Sequence, residues 1–172
     1  AEKKIAIALK ELVEAQFLNM MEVFVSSSPK SLSAGDRWFD RITKALKECA
    51  IEIVIASPAS VKRPWINFEC GAGYIRDIPV IPVCHSGMTP PNLPEPLNQL
   101  QAVTAIEESE LQLMLPVLAK AIGSGVPEVD FSDFIVAVRT FEETSNQIEE
   151  LLSESPVGTV DGLREHEMVT LV

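Results

Sequence analysis

The sequence predicts an α/β domain built on a doubly wound parallel sheet, and three observations predict it. Amphipathic stretches with helical spacing alternate with short, continuous apolar runs. Those runs lack polar alternation, as expected of strands covered on both faces. The segments between them are long enough for the helical crossovers that parallel strands need. A chain of 172 residues, 47% apolar and 23% charged, is neither disordered nor fibrous in composition. A domain of this size removes roughly 70% of its unfolded-chain surface from water, so its core needs no disulfide or metal.

The opening segment, Lys3 to Phe17, carries Ile5, Ala8, Leu9, Leu12 and Ala15 at three- and four-residue steps, which predicts an amphipathic helix. Val23 to Val25 is a buried strand, stopped by the serines from Ser26 to Ser28 and by Pro29. After a loop, Ser33 and Asp36 have capping-box spacing ahead of Trp38, Ile42, Ala45, Leu46 and Cys49, where the second helix starts. The run from Ile51 to Ala56 is interrupted only by Glu52 and is the clearest strand; Ser57 and Pro58 end it. Pro64 pre-sets the first turn of a third helix running to about Arg76.

Ile78 to Val83 is the next strand, and its two prolines should sit where the ladder needs no donor. Six of the twelve prolines fall between Pro79 and Pro96, so His85 to Leu97 reads as an irregular loop. A short strand near Ala102 to Ile106 leads to a helix over Glu107 to Ile122 that Pro116 kinks or divides. Beyond Gly123, Ser124, Gly125 and Pro127, a long helix carries Phe134, Val138, Phe141, Ile148 and Leu152 on one stripe that must pack somewhere. Ser153 to Val172 has no decisive period. Because such sheets usually start on a central strand and this sequence opens on a helix, a first strand is expected but not found in it.

Residues 1 to 127 hold 14 acids and 12 bases, whereas 128 to 172 hold 11 acids and 2 bases. The boundary this suggests is a domain over 1–125 and an acidic helical extension or linker over 126–172. Net charge −11 argues against nucleic acid, whose affinity comes from Lys and Arg displacing counterions. No apolar run approaches the roughly 20 residues of a membrane span. Cys49, Cys70 and Cys84 lack paired metal or redox spacings, which predicts free thiols in a cytoplasmic protein.

Doubly wound sheets bind ligands beyond the carboxyl ends of their strands, so the loops after Val25, Ala56 and Val83 are the places to search. The middle one leads into a helix on which Trp65, Glu69 and Gly73 share one face. Glu69 is then either a solvated early-helix acid with Trp65 in the core, or a carboxylate beside an aromatic ring in a pocket. Gly71 and Gly73, each costing roughly 1 kcal/mol relative to Ala in a helix, favour a close approach there. Cys84 and His85 form no recognisable nucleophile pair, since strand neighbours point to opposite faces, and read as structural.

Val23-Phe24-Val25, the Leu32 to Trp38 loop-to-helix segment, Ile53 to Pro58, the Pro64-Trp65 to Glu69 helix and Ile78 to His85 follow one another in a familiar order and spacing. This stretch resembles the Toll/interleukin-1 receptor (TIR) domain, particularly its bacterial NAD-cleaving type, whose fold is a flavodoxin-like doubly wound sheet. Trp65 and Glu69 match the family's WxxxE motif, and the resemblance implies that Glu69 is the catalytic carboxylate of an NAD+ nucleosidase. It further implies NAD+ as substrate without cofactor or metal, with Trp65, Ser27, Ser28 and Trp38 as substrate-binding residues. Trp38 also sits on an apolar stripe and by its own spacing reads first as a core residue. An oxocarbenium-like ribosyl cation needs a carboxylate nearby, and departing nicotinamide becomes neutral without protonation, so one acid suffices. Implied partners are other copies of the domain, in an oligomer or filament serving innate, antiviral defence. The alternative is a non-enzymatic scaffold acting by self-association. A phosphoacceptor receiver is a poor fit, because the strand ending at Ala56 is followed by Ser57-Pro58 and no Asp.

Overall fold

The computed structural model describes residues 2–26, 38–154 and 168–171, with backbone alone at 38–39, 149, 152–154 and 168–171. The chain alternates as predicted: α1 (Lys3–Gln16), β1 (Val23–Val25), α2 (Trp38–Glu48), β2 (Ile51–Ala56), α3 (Pro64–Ile75), β3 (Val80–Cys84) and β4 (Val103–Thr104). The long helix predicted in the acidic segment forms α6 (Ser132–Glu154), and β5 (Met168–Leu171) follows it. Between β4 and α6 the stretch expected to kink or divide at Pro116 is divided, into α4 (Glu108–Leu111), a 3-10 turn and α5 (Leu115–Ile122). Pro116 sits in the first turn of α5, where its missing N–H costs nothing. Gly123 closes α5 in a left-handed conformation, with φ of 68°.

Strands β2, β3 and β4 pair in parallel, in register Glu52 with Val80 and Val83 with Val103. Every residue of β2 and β3 is buried, which explains their unbroken apolar pattern. His85 donates its N–H to the Ala56 carbonyl while the Cys84 carbonyl accepts from Ala105. Residues alternate between neighbours, so Pro82 faces β4, whose pairing starts only at Val83. The proline therefore removes no ladder bond.

The sheet order is β1-β5-β2-β3-β4. The position expected for a strand ahead of α1, between β1 and β2, is held by β5, antiparallel to both. Four residues in the stretch read as having no period thus occupy an interior strand position. Apolar clusters cover the two faces of the sheet. One joins α1, α5 and the first half of α6 through Leu9, Val13, Leu118, Phe131, Phe134 and Val138. The other gathers Ile42, Leu46, Val54, Ile66 and Leu97. The α6 stripe docks at Phe134 and Val138, whereas Ile148 is 52% exposed, so only its first half is covered.

Local polar links fix the elements that bear the site. Lys10 joins the Glu14 carboxylate to the Val23 carbonyl, and Glu14 Oε1 accepts from the Val23 N–H at 3.0 Å, tying α1 to β1. Arg76, just past α3, donates to the Leu46 and Cys49 carbonyls at 2.6 and 2.9 Å. A cation there satisfies carbonyls left open where α2 ends.

Candidate active site

Pro64 opens α3 at its first position, and the helical repeat then places Trp65, Glu69 and Gly73 on one face. Trp65 Nε1–H donates to Glu69 Oε1 at 2.5 Å, and the indole stacks on Phe68 with ring centroids 5.2 Å apart. Glu69 is fully buried, and its Oε2 has no hydrogen-bond partner among the described residues. Burial pushes its carboxyl up from 4.5 to about 8, because desolvation penalises the charged form. The indole N–H acts against that rise, and the neighbouring Glu52 charge adds to it. One oxygen is therefore held and the other uncommitted, on a carboxyl poised near neutrality.

Glu52, read in the sequence only as an interruption of a strand, is the second carboxylate here. It projects from β2 toward α3, fully buried, with neither oxygen hydrogen-bonded among the described residues. Burial pushes it up to about 7, with the Arg76 charge opposing. Gly73 makes room for it: a Cβ there would collide with Glu52 Oε2 and lie 2.7 Å from Val80 Cγ2. Gly71 has nothing within 4 Å of such a Cβ, so of the two predicted close approaches only Gly73 is one. The signal available in the sequence was an acid inside an otherwise apolar strand, together with a glycine on the WxxxE face one turn beyond Glu69.

Cys70 is buried, and desolvation followed by the charges of Glu52 and Glu69 raises its thiol well above the ordinary range. Burial likewise pushes Cys84 up to about 12. Neither is an activated nucleophile, in keeping with the sequence reading. Ser27 and Ser28 lie outside the described residues. Trp38 begins α2, and its side chain lies outside them too. Of the five site residues expected, the structure brings together Trp65 and Glu69. A cavity of 520 Å³ is lined by Tyr74, Pro79, Leu100, Val103, Leu113 and Val117, among others, and by neither of them. It borders the amino-terminal ends of β3 and β4, the wrong end of a doubly wound sheet for chemistry.

A three-stranded parallel core between helical layers, with a buried tryptophan-bonded glutamate on the helix after β2, defines a TIR-type module. A family model for the TIR domain matches residues 2–115, well over half of the chain, and the protein belongs to the TIR-domain family. Comparisons with curated proteins and with solved structures returned no match. The matched range ends at the start of α5, so α6 and β5 lie beyond it. No helix among the described residues is long and apolar enough to cross a membrane.

Proposed function

We propose that the protein is an NAD+ nucleosidase that cleaves the nicotinamide–ribose bond, with Glu69 as the catalytic carboxylate. The observation that carries this reading is the Trp65–Glu69 hydrogen bond of 2.5 Å, which holds one carboxylate oxygen and leaves the other uncommitted. In the proposed reaction the C1′–N bond breaks and its electron pair leaves with nicotinamide, which becomes neutral. Ionised Glu69 stabilises the electron-poor ribosyl centre. Water then attacks C1′ and loses a proton to give ADP-ribose, or a hydroxyl or ring nitrogen of the same molecule attacks to give a cyclic product. A cationic nicotinamide beside Glu69 favours the ionised carboxylate, so substrate itself lowers the barrier to generating the catalytic form.

The buried state of Glu69 implies that the cleft must open before NAD+ can enter, and homotypic assembly is the proposed trigger. The outer face of α3 supports this, with Phe68 half exposed and Tyr74 and Ile75 largely so, an apolar surface adjoining the Trp65 side chain. The resemblance to bacterial WxxxE members supports a cytoplasmic role in antiphage defence. Chromatographic assay of nicotinamide release across a dilution series, with wild type and Glu69→Gln side by side, tests the proposal. Release that depends on concentration and on Glu69 is expected. Equal release by a folded Glu69→Gln protein would overturn the assignment.

The same exposed face and the full burial of Glu69 favour a second reading, a scaffold that works by self-association alone. It predicts concentration-dependent assembly by wild type and Glu69→Gln alike, with no nicotinamide released by either.

A further inference from the structure

Glu52 is a buried acid that the proposed reaction does not use. It stands at the second position of β2, between Val80 of β3 on one side and Thr170 of β5 on the other, and is fully buried. A group that can carry charge is rarely placed inside a sheet without a partner, because taking it out of water is costly. Yet among the described residues neither of its oxygens is hydrogen-bonded, and Glu69 Oε2 is unmatched as well. Three carboxyl oxygens without partners thus belong to one strand and the helix packed on it.

The backbone fixes how the two acids stand to one another. Glu52 Oε2 fills the place that a Cβ on Gly73 would take. Gly73 follows Glu69 by one helical turn on the same face, about 6 Å along the axis. The glycine is therefore a notch that admits the Glu52 carboxyl one turn deeper than Glu69, away from the carboxyl end of the sheet where α3 begins. The titratable and charged groups around it are Glu69 and Cys70 from α3, Cys49 after α2, and Arg76 after α3. From β3 comes the apolar Val80. Desolvation raises both thiols, and Arg76 Nη1 is committed to the Leu46 and Cys49 carbonyls.

A buried acid equipped to stay charged looks different. Glu2 lies on the rim at the carboxyl end of the sheet, where one of its oxygens accepts from the Ser57 hydroxyl and has His85 Nε2 at 3.4 Å. Glu52 has no such donor among the described residues.

We propose that Glu52 is a positioning residue for Glu69, a second carboxyl whose repulsion keeps Glu69 protonated until a cationic substrate arrives. This rests on the reading of Glu69 as the catalytic carboxylate. Lying a turn deeper, Glu52 acts on the site through its field. In a layer so poor in donors, ionising either acid opposes ionising the other. Both carboxyls are raised in keeping with this, mainly by burial, and the Glu52 charge adds to the rise at Glu69. A site held in this way carries little charge while empty and gains it when a pyridinium ring comes against it.

Carboxyl-carbon NMR titration of the full chain tests the proposal, the Glu52 and Glu69 signals being assigned by their loss in Glu52→Gln and Glu69→Gln. In the wild type, each curve should carry an inflection where the other acid titrates. In Glu52→Gln, Glu69 should titrate about one pH unit lower, and the rise of kcat/KM for nicotinamide release should move down with it. Glu52→Asp keeps the charge and should hold both readouts near their wild-type positions. A purely structural Glu52 predicts instead that Glu52→Asp, which opens a void, is disturbed as much as Glu52→Gln. Single-step curves in the wild type, a Glu69 titration left in place by folded Glu52→Gln, or one shifted as far by Glu52→Asp would each overturn the proposal. Should Glu52→Gln not fold, the wild-type curves decide. Coupled curves with no nicotinamide released at any pH or concentration would leave the pairing of the two carboxyls standing and overturn the NAD+ reading.

Discussion

Glu2 and Glu69 are both almost wholly buried, yet their carboxyls move in opposite directions. Burial alone pushes each upward. At Glu2, His85, the Ser57 hydroxyl and the Arg63 charge more than offset that push and hold the carboxyl below its ordinary value. Beneath α3, among the described residues, Glu69 has the Trp65 indole N–H and Glu52 has the Arg76 charge, which is itself engaged with carbonyls, and both stay raised. The difference lies in the partners and not in the burial. A rim carboxylate with donors around it is set up to hold charge permanently. A carboxylate held among apolar atoms is set up to acquire charge when a cation arrives.

The comparison breaks most sharply at Glu69. Glu69→Gln keeps shape and removes charge, and NAD cleavage should fall on the order of 10² to 10³-fold or more, measured by nicotinamide release. Next in size is the pH dependence of stability. Glu52 and Glu69 have folded values raised to about 7 and about 8 from 4.5. The folded protein thus holds more protons than the unfolded chain between those values. Their contribution is complete below pH 4.5 and is lost as pH rises through 7 to 8. Thermal melts should show falling stability over that window, and Glu52→Gln or Glu69→Gln should flatten the fall. A slope unchanged in both variants would show that neither carboxyl is raised.

A smaller effect is expected at Gly73, which admits the Glu52 carboxylate. Gly73→Ala should destabilise by about 1–2 kcal/mol, overpacking outweighing the gain in helix propensity. Gly71→Ala should be neutral or stabilising by up to about 1 kcal/mol. Denaturant midpoints of the two variants give the contrast. Trp65→Phe removes the indole hydrogen bond that favours the ionised form of Glu69, so the rise of kcat/KM with pH should move to higher pH. A profile moving down instead would mean that the indole stabilises the neutral acid. The smallest change belongs to the rim: Ser57→Ala weakens what keeps Glu2 ionised. Since stability from a lowered carboxyl is present above its unfolded value and lost as pH falls through the folded one, that variant should lose part of the acid-side slope in the same melts.

Much of this arrangement was legible in the sequence because its signals are local. Helical spacing located α1, α3 and α6, and β-branched runs located β2 and β3. Pro64 fixed the start of α3, and Trp65 with Glu69 at four-residue spacing supplied the candidate site. What escaped the sequence was everything set by distant pairing. Glu52 is unremarkable until Gly73 and Arg76 are brought against it. Glu2 lies far along the chain from Ser57 and His85, and Phe141, which meets the His85 ring, lies far along it in the other direction. Met168 to Leu171 carries too few residues for a period, and only the pairing partners on either side make it a strand.

That last strand bears on how the protein is made. Leu171 pairs with both Val23 and Ile51, contacts of very high sequence separation, whose closure entropy slows folding. On the ribosome, α1, β1 and the β2–β4 core emerge long before it, and β1 stays detached from the sheet until residues 168–171 have cleared the exit tunnel. Until then the nascent chain shows the edges of β1 and β2 that β5 will cover, the kind of surface that invites pairing with the wrong chain. Closure of this sheet waits for residues 168–171.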